Sequence, residues 1–137
     1  MSTDRQSSSG SDGIRPRLRL VLYDGGTAMF GPGTYELLVR VSETGSLHRS
    51  AQQMAMSYSK AWRIVREAEE HLGVGLLERH AGGAAGGGSV LTDDARALVE
   101  RFGGLTSDVQ VALDVLFAKH FGDLPFVQDR RPSEPSE

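Results

Sequence analysis

Two apolar patterns of helical spacing lie close together in the middle of this chain. The first consists of Leu47, Ala51 and Met54. The second continues at intervals of 4, 3 and 4 residues through Ala61, Val65, Ala68 and Leu72. Such spacing places each set on one face of a helix, with only a few residues between the two for a turn. The pattern predicts two helices packed at a steep angle, as in a helix-turn-helix.

The residues at the predicted helix ends agree with this interpretation. Gly45 suits the position after a helix, and Ser46 and Ser57 are of the residue types that cap helix N-termini. Ala51 is small where the partner helix must approach closely, and Met56 can fill the corner. The alternative is an ordinary helical hairpin in a small core.

The residues that follow favour a winged helix-turn-helix over that alternative. A strand candidate, residues 76–80, comes shortly after Leu72 and Gly73. A glycine-rich run over residues 82–88 and a second strand candidate, residues 89–91, then precede Thr92. A strand, a glycine tip and a second strand after the second helix are the order expected of a wing.

The segment before the two helices predicts an N-terminal β-hairpin and a first helix. Residues 17–23 alternate as in a strand, residues 24–26 suit a turn, and residues 27–30 suit the returning strand. After the break at residues 31–33, Thr34 is the predicted cap of the first helix. The apolar face of that helix consists of Leu37, Leu38 and Val41.

The segment from Leu91 onward carries an apolar residue at alternating intervals of 4 and 3. Its members are Leu91, Ala95, Leu98, Phe102, Leu105, Val109, Ala112 and Leu116. This heptad spacing is typical of helices that pack along their length. A helix over about residues 92–119, capped by Thr92, would span roughly 40 Å and exceed what a small core can cover. We therefore expect a homodimer whose interface contains Leu98, Phe102, Leu105, Val109, Ala112 and Leu116.

The long helix has an alternative interpretation and an expected irregularity. The alternative to dimerisation is burial of the apolar row against the chain's own domain. Gly103 and Gly104 interrupt the pattern, and since each glycine costs about 1 kcal/mol relative to alanine in a helix, a kink is expected there.

Composition limits the class of protein. The chain has 137 residues, enough for one compact domain, and no cysteine, which excludes disulfides and thiolate sites. No apolar run approaches the length of a membrane span and the N-terminus lacks the apolar part of a secretion signal, so we expect a soluble, cytoplasmic protein without membrane contacts.

The formal net charge is −3, but residues 15–80 carry nine Lys/Arg against seven Asp/Glu. The acidic excess lies in residues 93–137, so it does not exclude double-stranded DNA as a partner, although it predicts weak non-specific affinity.

Polar and basic residues surround the start of the second helix of the motif. The predicted DNA-binding residues are His48, Arg49, Ser57, Tyr58, Ser59, Lys60, Arg63, Arg79 and His80. Lys60 and Arg63 can donate to guanine O6 and N7, and Tyr58 and Ser59 also suit base contacts. His48 and Arg49 are expected at phosphates, and the wing residues at an adjacent backbone or minor groove. The alternative for these side chains is a solvated helix face. For Arg66 we expect a surface ion pair with Glu67 or Glu70.

Three further features of the sequence concern functions other than base reading. Trp62 suits packing under the wing better than DNA contact, although both remain open. The glycine run lacks the lysine of a phosphate-binding P-loop, and we expect no cofactor. The histidines lack metal-ligand spacing, and no serine, histidine and carboxylate set suggests catalysis, so neither a metal site nor an enzyme is expected.

The stretch from Gly45 to Thr92 resembles the winged helix-turn-helix of LysR-type regulators, including the Leu72-Gly73 pair and the Leu91-Thr92 that closes the wing. The resemblance is closer to the N-terminal domain of molybdate-responsive regulators of the ModE type. It rests on residues 30–33 (FGPG), 43–46 (ETGS), 56–62 (MSYSKAW) and 81–88 (AGGAAGGG). It covers about residues 15–119.

The resemblance implies a homodimer that binds a two-fold symmetric operator, with the long last helix in the dimer interface. It also implies control of genes for molybdate uptake or molybdenum enzymes. The best-known form of the family carries oxyanion-binding domains after the DNA-binding half, and this sequence departs from it there. We therefore expect no binding of molybdate or tungstate by this chain, so that any metal response requires a separate effector protein.

These inferences combine into one expected organisation. The fold is mainly α with small β: a winged helix-turn-helix with an N-terminal β-hairpin and a long C-terminal dimerisation helix. Residues 1–13 are an expected disordered leader, residues 14–121 the DNA-binding domain, and residues 122–137 a flexible tail. The alternatives in function are a winged-helix module for protein contacts without an operator, and a small oxyanion-binding protein.

Overall fold

The computed structural model of the chain describes residues 13–80 and 88–129. In chain order these residues form β1 (Leu22–Asp24), β2 (Thr27–Phe30), α1 (Pro32–Thr44), α2 (Leu47–Gln53), α3 (Tyr58–Leu72), β3 (Leu77–His80), β4 (Gly88–Leu91), α4 (Asp93–Phe121) and α5 (Pro125–Gln128). The strands form two separate antiparallel hairpins. The predicted winged helix-turn-helix fold with an N-terminal β-hairpin and a long last helix is confirmed. None of the helices described is both long and apolar enough to span a membrane.

The N-terminal hairpin is shorter than the sequence pattern predicts. Its first strand begins only at Leu22, whereas the alternating pattern starts at Arg17. Gly25 forms the turn with a φ of 61°, a left-handed conformation that glycine adopts without steric cost. Leu22 pairs with Phe30, with an irregularity in register next to it. Residues before Leu22 have no strand partner among the described residues, and alternation alone does not supply one.

The first helix begins three residues earlier than predicted. Gly31 is the N-cap residue and Pro32 occupies the first turn, so Thr34 lies inside α1 and is not its cap. Proline favours this position because its missing N–H would have no helical partner there. At the other end Gly45 has a φ of 71° and its N–H bonds to the carbonyl of Val41 at 2.8 Å, which confirms its predicted place after the helix.

One hydrophobic core joins the helices and both hairpins of residues 19–105. Its buried members are Phe30, Leu37, Leu38, Val41, Leu47, Ala51, Ala61, Val65, Ala68, Leu76, Leu91, Ala95 and Phe102. The apolar faces predicted for the first three helices supply most of this set. The stripe of α3 is buried at Ala61, Val65 and Ala68.

The wing is an antiparallel pair formed by β3 and β4. Leu77 lies opposite Leu91, and His80 lies opposite Gly88. The glycine-rich tip, residues 81–87, lies outside the described residues. Thr92 closes the wing: its N–H donates to Leu76 O at 3.0 Å, and its hydroxyl oxygen accepts the N–H of Ala95 at 3.0 Å. The predicted cap of the long helix is thereby confirmed.

The long helix α4 contains 29 residues and continues through Gly103 and Gly104. At Gly103 an added Cβ would lie 2.7 Å from the hydroxyl oxygen of Tyr35. This glycine therefore allows Tyr35 to approach the helix closely. The structure shows helical backbone on both sides of this contact.

The chain divides into two compact units. Among the described residues, 19–80 and 88–105 belong to one unit, and 13–18 together with 106–129 belong to the other. Within the second unit, Gln110 holds the segment that precedes β1. Its Oε1 accepts the N–H of Leu18 at 3.3 Å, and its Nε2 donates to Pro16 O at 3.2 Å.

The segment predicted as a flexible tail contains ordered structure in its described part. Residues 125–128 form α5, with Pro125 in the first turn, and Val127 is only 2% exposed. The composition of residues 122–137 as a whole does not indicate that Val127 is buried. Residues 130–137 lie outside the described residues, as do residues 1–12 of the predicted leader.

Candidate nucleic-acid interface

Two serine caps set the start of each helix in the helix-turn-helix. The hydroxyl oxygen of Ser46 accepts the N–H of Arg49 at 2.9 Å, and that of Ser57 accepts the N–H of Lys60 at 3.0 Å. Each cap satisfies a backbone donor that the helix itself leaves unpaired. Both predicted caps are confirmed. Ser57, which was also a predicted DNA contact, thus has a defined role in holding the start of α3.

The turn between α2 and α3 depends on a left-handed residue that is not glycine. Ala55 has a φ of 57°. Next to it, the N–H of Met56 bonds to the carbonyl of Ala51 at 3.0 Å, and Met56 packs against the core as predicted. The turn therefore carries a backbone cost, because an L-residue in this region has its Cβ close to a carbonyl oxygen.

The corner between α1 and α2 is held by hydroxyl groups. Ser50 is fully buried and its hydroxyl donates to Ser46 O at 2.8 Å. The hydroxyls of Ser50 and Thr44 are 2.9 Å apart, and Thr44 Oγ1 accepts the N–H of Ser46 at 3.1 Å. This network satisfies the buried polar groups of the corner and fixes where α2 begins. The apolar spacing of the helices does not indicate this network.

The exposed side of α3 and the wing enclose an open groove of about 720 Å³. Its lining residues are Tyr58, Ser59, Trp62, Arg63, Arg66, Glu67, Glu70 and Arg79. The groove is basic toward the start of α3 and acidic toward its other end. Within the described residues, none of the three arginines of the groove forms an ion pair. Their positive charge is therefore available to an anionic partner.

A hydrogen-bonded cluster connects α3 to the wing. The indole Nε1 of Trp62 donates to the hydroxyl oxygen of Tyr58 at 2.9 Å, and Nη2 of Arg79 donates to the same oxygen at 2.6 Å. The guanidinium carbon of Arg79 lies 4.8 Å from the centre of the Trp62 ring, within the range of a cation–π contact. Trp62 is half-buried and also packs against the core. The structure places it beneath the wing residue Arg79, which is the arrangement that the sequence favoured.

The two predicted histidines line one cavity next to this cluster. His48 and His80 line a smaller cavity of about 270 Å³ with Tyr58 and Arg79. The rings of His48 and Tyr58 are 5.5 Å apart. The structure thus brings together candidate residues from α2, α3 and β3, whereas Lys60 and Arg49 lie outside both cavities and are exposed.

Sequence reasoning missed two residues of this region. Arg66 was expected in an ion pair, but it lines the groove and pairs with no carboxylate among the described residues. Its spacing of 4 from Trp62 and 3 from Arg63 would have placed it on the same helix face. Glu69 has a different role: its Oε2 accepts the N–H of Leu76 at 2.7 Å and so holds the start of the wing.

The wing is also attached to the corner between α1 and α2. The N–H of Ser89 donates to Gly45 O at 2.9 Å. A Cβ added to Gly88 would lie 2.9 Å from the same oxygen. Gly88 therefore permits β4 to lie against the corner. Glycine is required at this position because the two backbones approach closely, not because the backbone must be flexible.

The apolar row of α4 divides in the structure. Phe102 is 5% exposed and its ring centre lies 5.0 Å from that of Phe30, so this residue of the predicted dimer interface belongs to the core of its own chain. Leu98 is half-buried and packs against the same core. From Leu105 onward the row is far more exposed, with Leu105 at 47% and Leu116 at 49%. The sequence spacing is the same in both halves and does not distinguish them.

Comparisons with known proteins agree with this geometry. Residues 33–96 match the model of bacterial regulatory helix-turn-helix proteins of the lysR family. The match runs from the first turn of α1 to the first turn of α4 and so contains the whole helix-turn-helix and wing.

Several curated proteins are similar to the same part of the chain. The DNA-binding transcriptional dual regulator ModE of Escherichia coli K12 is 35% identical over 88 residues, which is 62% of this chain and 32% of that protein. The molybdenum transport protein ModE of Azotobacter vinelandii is 36% identical over 93 residues, 68% of this chain and 34% of the relative. The molybdenum-pterin-binding protein MopB of Rhodobacter capsulatus is 32% identical over 100 residues, 73% and 37% of the two chains. The chain thus spans about a third of the length of these relatives.

Proposed function

We propose that this chain, whose residues 33–96 form a bacterial regulatory helix-turn-helix of the lysR family, is a transcriptional regulator that binds double-stranded DNA as a homodimer. The observation that carries the proposal is the basic groove between α3 and the wing. Exposed donors lie at the start of a capped helix, and the arginines nearby have no carboxylate partner among the described residues. Regulation of transcription places this activity in the cytoplasm.

In this proposal the start of α3 enters the major groove. Lys60 and Arg63 donate to guanine O6 and N7, and Ser59 contacts a base or the neighbouring sugar. Arg49 and His48, on α2, contact phosphates on one side. His80, at the end of β3, contacts the backbone on the other.

Base reading is tested with a DNA sequence selected by the protein from a random pool. Lys60→Ala and Arg63→Ala should each weaken binding to that sequence by about 1–3 kcal/mol and affect a shuffled sequence much less. Lys119→Ala and Arg101→Ala, which remove the same charges from α4, are the matched controls. Equal losses on both DNA sequences would remove a residue from the base-reading set, and a wild-type chain that binds no DNA would overturn the proposal.

Phosphate contacts are tested by the dependence of binding on salt. Arg49→Ala should weaken binding to every sequence by the same factor. It should also reduce the slope of log K against log salt by about 0.9, because one phosphate is no longer neutralised. A loss confined to the selected sequence would instead make Arg49 a base-reading residue.

The homodimer is supported by the exposed apolar side chains of α4. Leu105 and Leu116, of the predicted apolar row, are 47% and 49% exposed. We propose that this surface, with Val109 and Ala112, meets its copy in a second chain, and that the dimer matches a two-fold symmetric operator. Leu116→Asp should give monomers in sedimentation velocity and weaken DNA binding strongly. A wild-type chain that sediments as a monomer at micromolar concentration contradicts the dimer.

The names of the relatives suggest which genes are regulated. We propose that the targets include genes of molybdenum uptake or molybdenum enzymes. Mapping the DNA bound across the genome tests this. Binding sites that show no association with such genes would refute the link and leave the DNA-binding proposal intact.

A further inference from the structure

We propose that Tyr58, Trp62 and Arg79 form a phosphate clamp that joins the reading helix to the wing, in which Tyr58 acts only as a hydrogen-bond donor to the DNA backbone. The proposal rests on the DNA-binding function proposed above. It assigns a role to the cluster that differs from reading bases, and it makes Arg79 part of a fixed unit.

The hydrogen-bonding inventory of the cluster determines what Tyr58 can still do. A phenol hydroxyl has one proton to donate and two lone pairs that accept. Both lone pairs are used, because Trp62 Nε1 and Arg79 Nη2 can only donate and both donate to this oxygen. Among the described residues no acceptor takes the remaining proton, and Tyr58 is 37% exposed. An incoming partner must therefore offer an acceptor to this hydroxyl.

The surroundings select an anionic acceptor. Arg79 lies beside the hydroxyl, its guanidinium is held over the Trp62 ring, and only one of its nitrogens is used for Tyr58. Arg63 and Arg66 line the same groove. A neutral hydroxyl donor next to a planar cation is well suited to two oxygens of one phosphate, to which arginine binds with a fixed fork of donors.

Fixing Arg79 before DNA arrives also has a consequence for affinity. A free arginine side chain loses rotamer freedom when it is immobilised. Here the hydrogen bond to Tyr58 and the contact with Trp62 immobilise it in the free protein. Tyr58 is thus both a donor to the phosphate and a positioning residue for Arg79.

Tyr58→Phe tests the clamp because it removes one hydroxyl and no charge. We expect binding to weaken by about fivefold, and by the same factor on the selected DNA sequence and on a shuffled one. Tyr23→Phe, the same change at a tyrosine that is 63% exposed on β1, is the matched control and should change neither. A loss confined to the selected sequence would assign the hydroxyl to a base, and no loss on either would remove it from the interface; both results overturn the proposal.

A double-mutant cycle tests whether the residues act as a unit. If Tyr58 positions Arg79, then Tyr58→Phe should cost much less in an Arg79→Ala background than in the wild type. Additive losses would show that the two side chains act separately and would refute the positioning role. If the wild type itself binds no DNA, the proposed function fails first, and this outcome is distinct from a failure of the clamp alone.

The protein contains a built-in reporter for the cluster. Trp62 is the single tryptophan of the protein, so tryptophan fluorescence comes from one site. Arg79→Ala and Tyr58→Phe should each change the emission of the free protein, and DNA should change it with the same Kd that anisotropy gives. Emission that none of these perturbations alters would mean that the cluster does not form in solution.

Discussion

Replacing Phe102 by alanine tests the division of α4 into a core part and an exposed part. The Phe102 ring lies 5.0 Å from that of Phe30 and 5.2 Å from that of Tyr35, and the residue is 5% exposed. Truncation of a buried phenylalanine costs about 3–5 kcal/mol, because apolar burial is lost and a cavity remains. Since a domain of this size is stable by only about 5–15 kcal/mol, the variant should lose a large part of its stability.

The measurement is urea unfolding followed by circular dichroism at two protein concentrations a factor of ten apart. Val115→Ala is the matched control, since it truncates a side chain on the same helix that is 65% exposed. We expect the control to lose no more than about 1 kcal/mol at either concentration.

Two results would refute this reasoning. A Phe102→Ala variant within 1 kcal/mol of the wild type would show that the residue is not in the core. A loss that shrinks as the protein concentration rises would show that the Phe102 contact is made between subunits, because only then does association restore stability.

Three smaller predictions concern the turn and the wing. Ala55→Gly should raise the melting temperature, because the left-handed conformation costs an L-residue about 1–2 kcal/mol and the extra freedom of unfolded glycine only about 0.5–1; a lower melting temperature would contradict this. Gly88→Ala should destabilise the fold and weaken DNA binding, because its Cβ would lie 2.9 Å from Gly45 O; unchanged affinity in an anisotropy titration would show that the wing tolerates the shift. Glu69→Ala should cost about 1–3 kcal/mol by leaving the N–H of Leu76 unpaired, and Glu69→Gln much less; equal losses in urea unfolding would exclude the hydrogen bond as the cause.

The sequence predicted best what depends on local interactions. The serine caps, the glycine after α1, and the apolar faces of three helices each involve residues within about one turn of one another. Such features are readable because backbone preference and side-chain type decide them together. The candidate residue Tyr58 follows in the same way, as a polar position beside a buried stripe, whereas Arg79 follows from the predicted strand of the wing.

What the sequence could not predict depends on partners distant along the chain. The heptad row of α4 is regular, yet Phe102 meets a β-hairpin while Leu116 is half-exposed. Periodicity identifies an apolar face and does not identify what covers it. The same limit applies to Glu69, whose acceptor role depends on where β3 begins, and to Arg66, whose expected ion pair is not formed among the described residues.

The contact between Gly45 and β4 has a consequence for how related sequences diverge. The carbonyl oxygen of Gly45, the residue after α1, accepts the N–H of Ser89 at 2.9 Å and would lie 2.9 Å from a Cβ at Gly88. Substitutions at these two positions are therefore not independent, because a side chain at position 88 requires the backbone at position 45 to move. In an alignment of homologues, glycine at position 88 should persist even where the length and composition of the preceding glycine run drift, and exchanges at 45 and 88 should covary.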